Sequence, residues 1–282
     1  MLLAYFLYIS LLVLLFVGAS QNSKLYLSIN STSNNLTKPN SYWRWPLIFG
    51  LIPLIVIIGF RYNVGVDYAG YFSDYLGLGK YEVLRWQKIE RYEWGYEIIV
   101  RVLLYFKMPP WVLFSIIGTL IWYYFIQSFK VFPELLNWGL FFAFTTGFLF
   151  ATNNGMRQSI ALVIFMYAIK FIRQKSLLKY SFYIILGLSF HTSIILLFPF
   201  YFFVNKVSFV NRKYIILYVI TYIVGNFIDI KELILFSLDF FPKYRHYVDM
   251  LLEDFSNPAS MGLGNAYSFF VGLIIIIFSK DL

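Results

Sequence analysis

The stretch IPLIVIIGFRYNVGVDYAGYF, residues 52–72, joins a long apolar run to a compact polar cluster. The run covers residues 45–60, which as a helix would extend about 24 Å, a little short of a hydrocarbon core of about 30 Å. The twelve residues after Phe60 include one Arg, one Asp and three Tyr. This abrupt change predicts a membrane helix that ends in a polar cluster at the membrane surface.

The composition of the whole chain agrees with a membrane location. Of its 282 residues, 60% are hydrophobic and only 13% are charged, whereas soluble domains carry about 25% charged residues. Several apolar runs are long enough to cross a membrane as helices, and none alternates with the period of two that a membrane barrel needs. We therefore predict an all-α, polytopic integral membrane protein.

The charge and the cysteine content exclude several function classes. A net charge of +9 could indicate nucleic acid, but no basic tail or Lys/Arg stripe is present to follow a phosphate backbone, so we expect no nucleic-acid partner. The excess of positive charge on the cytoplasmic loops of membrane proteins explains the charge better. The chain has no cysteine, which excludes disulfides, thiolate metal sites and a cysteine nucleophile.

The hydropathy pattern predicts one transmembrane domain, 1–282, with about seven full spans. The first run, 2–19, lacks the basic region of a signal peptide, so we interpret it as a retained span. The predicted spans are 2–19, 45–60, 111–129, 135–151, 158–172, 214–228 and 265–278.

The distribution of charge between the spans predicts their orientation. The connection 20–46 holds three basic residues and no acid, whereas residues 61–94 hold five of each. The first should therefore face the cytoplasm, and the N-terminus and the loops 61–110 and 229–264 should lie outside.

Two further segments do not fit a simple span. Residues 93–106 place Glu93, Glu97 and Arg101 on one helical face, which predicts an amphipathic external or re-entrant helix with its charges in the membrane interface. The run 180–204 is expected to form a broken helical hairpin with His191 at its outward tip. Both assignments keep the neighbouring basic loops inside.

Four segments on the predicted outer side resemble the signature blocks of the EpsG family, in the expected order. They are FRYNVGVDYAGY from Phe60, EWGYEIIV from Glu93, NGMRQSIA from Asn154 and SFHTSIILLFP from Ser189. The first block departs from the family pattern at Val66, where a small hydroxyl residue is usual. Many members also continue through further spans, so we expect a short or truncated form.

The resemblance implies a Wzy-like polymerase of bacterial exopolysaccharide or capsule in the cytoplasmic membrane. Such an enzyme is a glycosyltransferase without a cofactor that joins repeat units carried on undecaprenyl pyrophosphate at the outer face. A flippase and a chain-length regulator are its expected protein partners. We expect no catalytic metal, because the two histidines have no metal-ligand spacing.

The residue types on the outer side suit this reaction. Guanidinium groups would stabilise the charge that gathers on a diphosphate leaving group, for which Arg61 and Arg157 are the candidates. His191 is the first candidate for the base that takes a proton from the acceptor hydroxyl, followed by Asp67 and Glu93. The predicted substrate-binding residues are Tyr68, Tyr71, Tyr96, Asn154, Gln158 and Arg245.

Structural roles remain open for the same residues. Arg61 could extend towards the membrane surface from the end of a span, Arg157 could lie at a helix start, and His191 could be a satisfied structural histidine. Two other functions also remain open. One is a transporter or flippase of the same lipid-linked sugar, and the other is a non-catalytic scaffold of an assembly complex.

Overall fold

A computed structural model describes residues 2–32, 42–80, 92–204, 212–227 and 263–278. The chain divides into two units, 1–205 and 206–282. Every secondary-structure element in the described ranges is helical, which confirms the predicted all-α class. The predicted external loop 229–264, with Arg245, falls almost wholly outside the described residues.

The first unit contains ten α-helices and three short 3₁₀ segments within its described ranges. The α-helices are α1 Leu2–Thr32, α2 Trp45–Phe60, α3 Tyr68–Lys80, α4 Trp94–Tyr105, α5 Pro110–Ser128, α6 Leu136–Thr145, α7 Phe148–Asn154, α8 Met156–Arg173, α9 Leu177–Leu188 and α10 Phe200–Val204. The 3₁₀ segments are Phe129–Val131, Pro133–Leu135 and Thr192–Leu197.

The second unit contains α11, Arg212–Phe227, and α12, Leu263–Phe278. These helices correspond to the predicted spans 214–228 and 265–278. They pack through aromatic rings, since Phe269 stacks on Tyr222 at a centroid distance of 4.0 Å and on Tyr218 at 5.4 Å.

The predicted cytoplasmic loop 20–46 is wrong at its start, because α1 continues without a break to Thr32. The segment from Ala19 to Thr32 contains no Gly or Pro that would end a helix. Two of its polar residues, Asn22 and Ser23, are buried, and the Ser23 hydroxyl donates a hydrogen bond to the Pro133 carbonyl at 2.7 Å. The extension is therefore held against the 3₁₀ segment Pro133–Leu135, which precedes α6.

Fewer helices are long enough to span a membrane than the sequence predicts. Among the described residues, two helices, Phe6–Leu27 and Pro110–Val131, are long and apolar enough to cross a membrane. A third is present if Pro133–Thr145 and Phe148–Asn154, which meet at 63°, form one broken span. Helix α2 has only 16 residues, and α8 carries charge at both ends. The predicted count of about seven full spans is thus not confirmed.

The core of the first unit forms where α1, α2, α5, α8 and α9 pack side by side. Close approach of α1 and α2 depends on small residues, as in many membrane helix pairs. A Cβ added at Gly18 would lie 2.4 Å from the Pro46 carbonyl oxygen. Large apolar side chains remain exposed along the same helices, including Phe6, Phe49 and Val56, as expected for surfaces that face lipid.

Candidate functional site

Arg61 directly follows α2, and its side chain turns into the protein. Only 8% of the residue is exposed. Its guanidinium lies over the Phe114 ring at 4.8 Å and the Tyr68 ring at 5.9 Å, and Nη2 contacts the Met156 sulfur at 3.2 Å. Its Nε and Nη1 have no hydrogen-bond partner among the described residues. Burial lowers the pKa of Arg61. Because two donors of this buried cation are free, the side chain is suited to binding an anion.

Glu93 joins Arg157 and His191 into one charged group. Arg157 Nη1 donates to Glu93 Oε2 at 2.6 Å, and His191 Nδ1 lies 3.5 Å from Glu93 Oε1. Burial alone would raise the pKa of Glu93, but contact with His191 and the charge of Arg157 outweigh burial and lower it to about 2. The carboxylate is therefore ionised across the physiological pH range.

Two tyrosines connect the guanidiniums of Arg61 and Arg157. Tyr71 and Tyr96 both lie near Arg61. Tyr71 also lies near Arg157, whose guanidinium is 5.8 Å from the Tyr96 ring centroid. The two rings are 6.1 Å apart. Both predicted phosphate ligands thus face the same aromatic pair.

Contact between α4 and the break in the chain at Ser189 fixes the position of Glu93 relative to His191. Helix α9 ends at Leu188, and His191 is extended, with φ of −157°, before the 3₁₀ segment. The chain therefore breaks where the sequence predicts. The Ser189 carbonyl accepts a hydrogen bond from the Gly95 amide at 2.8 Å. A Cβ at Gly95 would lie 2.8 Å from that carbonyl oxygen, so glycine permits the approach.

Helix α4 has nearly the predicted bounds, but its charged face has the opposite orientation. Glu97 is buried and pairs with Arg101 at 2.5 Å, whereas the apolar residues Ile98 and Val102 are exposed. The side of α4 that carries Glu97 therefore packs against protein, whereas the sequence predicts that it lies at the surface. Helices surrounded by lipid place their ionisable residues towards protein, where partners compensate for the cost of burial.

The loop after Arg61 is held by the segment that precedes α8. Asn154 Oδ1 accepts a hydrogen bond from the Val66 amide at 2.8 Å. Gly65, at φ of +97°, approaches the same side chain so closely that a Cβ would lie 2.5 Å from Asn154 Oδ1. Asn154, predicted to bind substrate, thus positions a loop. A break at Gly155 separates α7 from α8.

The remaining predicted residues have varied positions. Tyr68 and Tyr96 are buried, so in this conformation their rings cannot stack on a sugar, because protein side chains cover them. Tyr71 is half-buried. Asp67 and Gln158 are exposed, and the Asp67 carbonyl accepts a bond from the Tyr71 amide at 3.1 Å. Within the described residues, neither forms a hydrogen bond or ion pair with the charged group around Glu93.

Sequence reasoning missed two residues of the site. Met156 contacts Arg61 through its sulfur, and the Tyr92 ring lies 5.4 Å from the Arg157 guanidinium. Tyr92 also donates a hydrogen bond to Asp74 at 3.2 Å. Both are adjacent to predicted site residues in the sequence, and this proximity was the available signal.

The four motif blocks therefore meet at one site. Arg61 contacts Met156, Glu93 pairs with Arg157, and Val66 bonds to Asn154. The fourth block joins them through the bond between Ser189 and Gly95 and the contact between His191 and Glu93. The fold and site define an α-helical membrane protein with a half-buried cationic site.

The comparison with known families identifies its class. The model of the EpsG family matches residues 44–282, and the chain belongs to this family. It is accordingly a polysaccharide-related membrane protein. No curated protein and no solved structure matches the chain.

Proposed function

We propose that the chain polymerises oligosaccharide repeat units carried on undecaprenyl pyrophosphate, at the outer face of the bacterial cytoplasmic membrane. It does so as a multi-pass protein of about seven spans with its N-terminus outside, after a flippase has delivered each unit. The meeting of the four motif blocks around Arg61, Glu93, Arg157 and His191 is the observation that supports this function.

The two arginines have different roles in the proposed reaction. Arg61 carries two free donors in a buried position, so it is the principal ligand of the diphosphate that leaves. Arg157 is partly neutralised by Glu93, and its charge therefore acts at shorter range. As the glycosidic carbon parts from the phosphate oxygen, both cations stabilise the charge that forms on the diphosphate.

His191 is the proposed base, and Glu93 positions it. Glu93 faces Nδ1 of the imidazole, which favours the tautomer with a proton on Nδ1 and leaves Nε2 as the acceptor. The acceptor hydroxyl transfers its proton to Nε2 while its oxygen bonds to the anomeric carbon, and undecaprenyl pyrophosphate leaves with the electron pair of the broken bond. With a pKa of about 2, Glu93 is a poor proton acceptor, so we withdraw it as a base.

Polymer chain length in cells tests the assignment. We expect cells that express Arg61→Ala, Arg157→Ala or His191→Ala to make only single repeat units, as measured on gels of extracted polysaccharide. Glu134→Gln, an exposed change at the other end of the unit, should give wild-type lengths. Wild-type polymer from all three site variants would refute the proposal.

The location of the unused units separates a polymerase from a flippase. Loss of a polymerase should leave single lipid-linked units exposed at the outer face, where an impermeant sugar-oxidising label reaches them. If the units in the His191→Ala strain are protected from the label until the membrane is opened, the transporter function is correct.

A further inference from the structure

The end of α8 opposite Arg157 carries a second cluster of positive charge. Arg157 and Arg173 are 16 residues apart, or about 24 Å along the helix. In the part of the chain that the structure describes, no member of this cluster forms an ion pair with a carboxylate. The cluster, called here the basic end, consists of Lys130, Lys170, Arg173, Lys175 and Lys179.

Aromatic rings hold several of these cations close together. Lys170 Nζ lies 3.5 Å from the Tyr167 ring centroid and 4.8 Å from that of Phe171. Lys179 Nζ lies 5.9 Å from the same Phe171 ring. Lys130 and Lys179 both act electrostatically on Lys170. Neighbouring like charges repel one another, so an anion among these cations would lower the energy.

Lys175 has a left-handed backbone conformation at the end of α8. Helix α8 ends in hydrogen bonds from the Lys175 amide to the Ile172 carbonyl, 3.0 Å, and from the Ser176 amide to the Phe171 carbonyl, 2.9 Å. This helix ending requires a left-handed residue, usually glycine. Lys175 occupies that position with φ of 52°. A charged side chain is therefore present where glycine would fit the backbone better.

An apolar stripe begins beside these charges and continues along α9. Leu178, Phe182 and Ile185 follow one another at helical spacing and are 86%, 61% and 57% exposed. The stripe covers about 10 Å of the helix, starting next to Lys179. A ligand that covers both features must have an anionic head and an apolar body.

We propose that the basic end binds an anionic phospholipid. Its phosphate contacts Lys175 and Lys179, and an acyl chain lies along the stripe on α9. An acidic peptide would neutralise the cations but would leave the stripe uncovered, which favours lipid. Clusters of Lys and Arg at the ends of membrane helices commonly attract anionic lipids in this way.

Native mass spectrometry of the full chain in detergent can count bound lipids during titration with phosphatidylglycerol or phosphatidylcholine. We expect wild type to bind phosphatidylglycerol more tightly, and Lys175→Gly to weaken that binding about fivefold without affecting phosphatidylcholine. Lys175→Arg should keep wild-type affinity. Because glycine relieves the left-handed backbone, a folding defect is not expected, and Lys179→Gln gives a second test with the same expected loss.

Lys107→Gly is the matched control. Lys107 also ends a helix at a left-handed position, with φ of 53°, but it is not part of the basic end. The Lys107→Gly variant should bind both lipids as wild type does. Equal binding of the two lipids, unchanged binding by Lys175→Gly and Lys179→Gln, or an equal loss in Lys107→Gly would overturn the proposal. Unchanged binding would instead favour an acidic protein as the occupant.

Discussion

Replacing Glu93 with Gln removes the charge that joins Arg157 to His191 and keeps the shape of the side chain. The pKa of Glu93 is about 2, against 4.5 for an unperturbed carboxyl. This difference corresponds to about 3 kcal/mol of stabilisation by the charged form. The side chain is only 13% exposed, so solvent screens the interaction little.

The stabilising contribution of the Glu93 carboxylate should decrease as the pH falls. Because the folded pKa is depressed, the contribution is complete above about pH 4.5 and is lost as pH falls towards 2. We expect Glu93→Gln to be less stable than wild type by about 3 kcal/mol at pH 7 and by about 1 kcal/mol at pH 3.

Thermal unfolding of both proteins in the same detergent, from pH 7 to pH 3, measures this difference. Other carboxylates titrate in both proteins, so their effects cancel when the curves are subtracted. Glu134→Gln, on an exposed residue, should follow wild type throughout. If the gap between Glu93→Gln and wild type stays constant as the pH falls, the ion pair does not stabilise the site as described.

Three other substitutions test neighbouring parts of the site. Gly95→Ala should lower stability by about 1–3 kcal/mol and shorten the polymer, since the new Cβ forces α4 away from Ser189. Gly70→Ala is the control and should do neither, because the space around Gly70 is open. Arg61→Met should raise the melting temperature, because it removes unpartnered buried donors, yet abolish polymer. Asn154→Ala should lower stability by about 1 kcal/mol through the lost bond to the Val66 amide, and loop proteolysis should increase.

The features that follow from local sequence were the predictable ones. The end of α2 before Arg61, the helix around 93–106 and the break at His191 all depend on nearby apolar runs and breakers. The four blocks also predict the family, and the match of the family model to residues 44–282 confirms it. Local patterns are sufficient for such features because hydropathy and helix termination act over a few residues.

The missed features depend on long-range packing. The pair between Arg157 and Glu93 joins residues 64 positions apart, and sequence spacing alone does not predict it. The orientation of α4 differs from the prediction because a charged side chain can be buried where a partner compensates its charge, as Arg101 does for Glu97. Tyr96 was assigned to sugar binding but is fully buried beneath Arg157, since an isolated sequence cannot distinguish a stacking ring from a packed one.

Binding and turnover by the purified chain in nanodiscs test the central claim most directly. With undecaprenyl-pyrophosphate-linked oligosaccharide, wild type should bind the lipid and form a ladder of longer glycans. His191→Ala should bind it normally and form none, whereas Arg61→Met should lose binding. Normal binding by Arg61→Met, or a ladder from His191→Ala, would contradict a single site in which Arg61 holds the diphosphate and His191 accepts the proton.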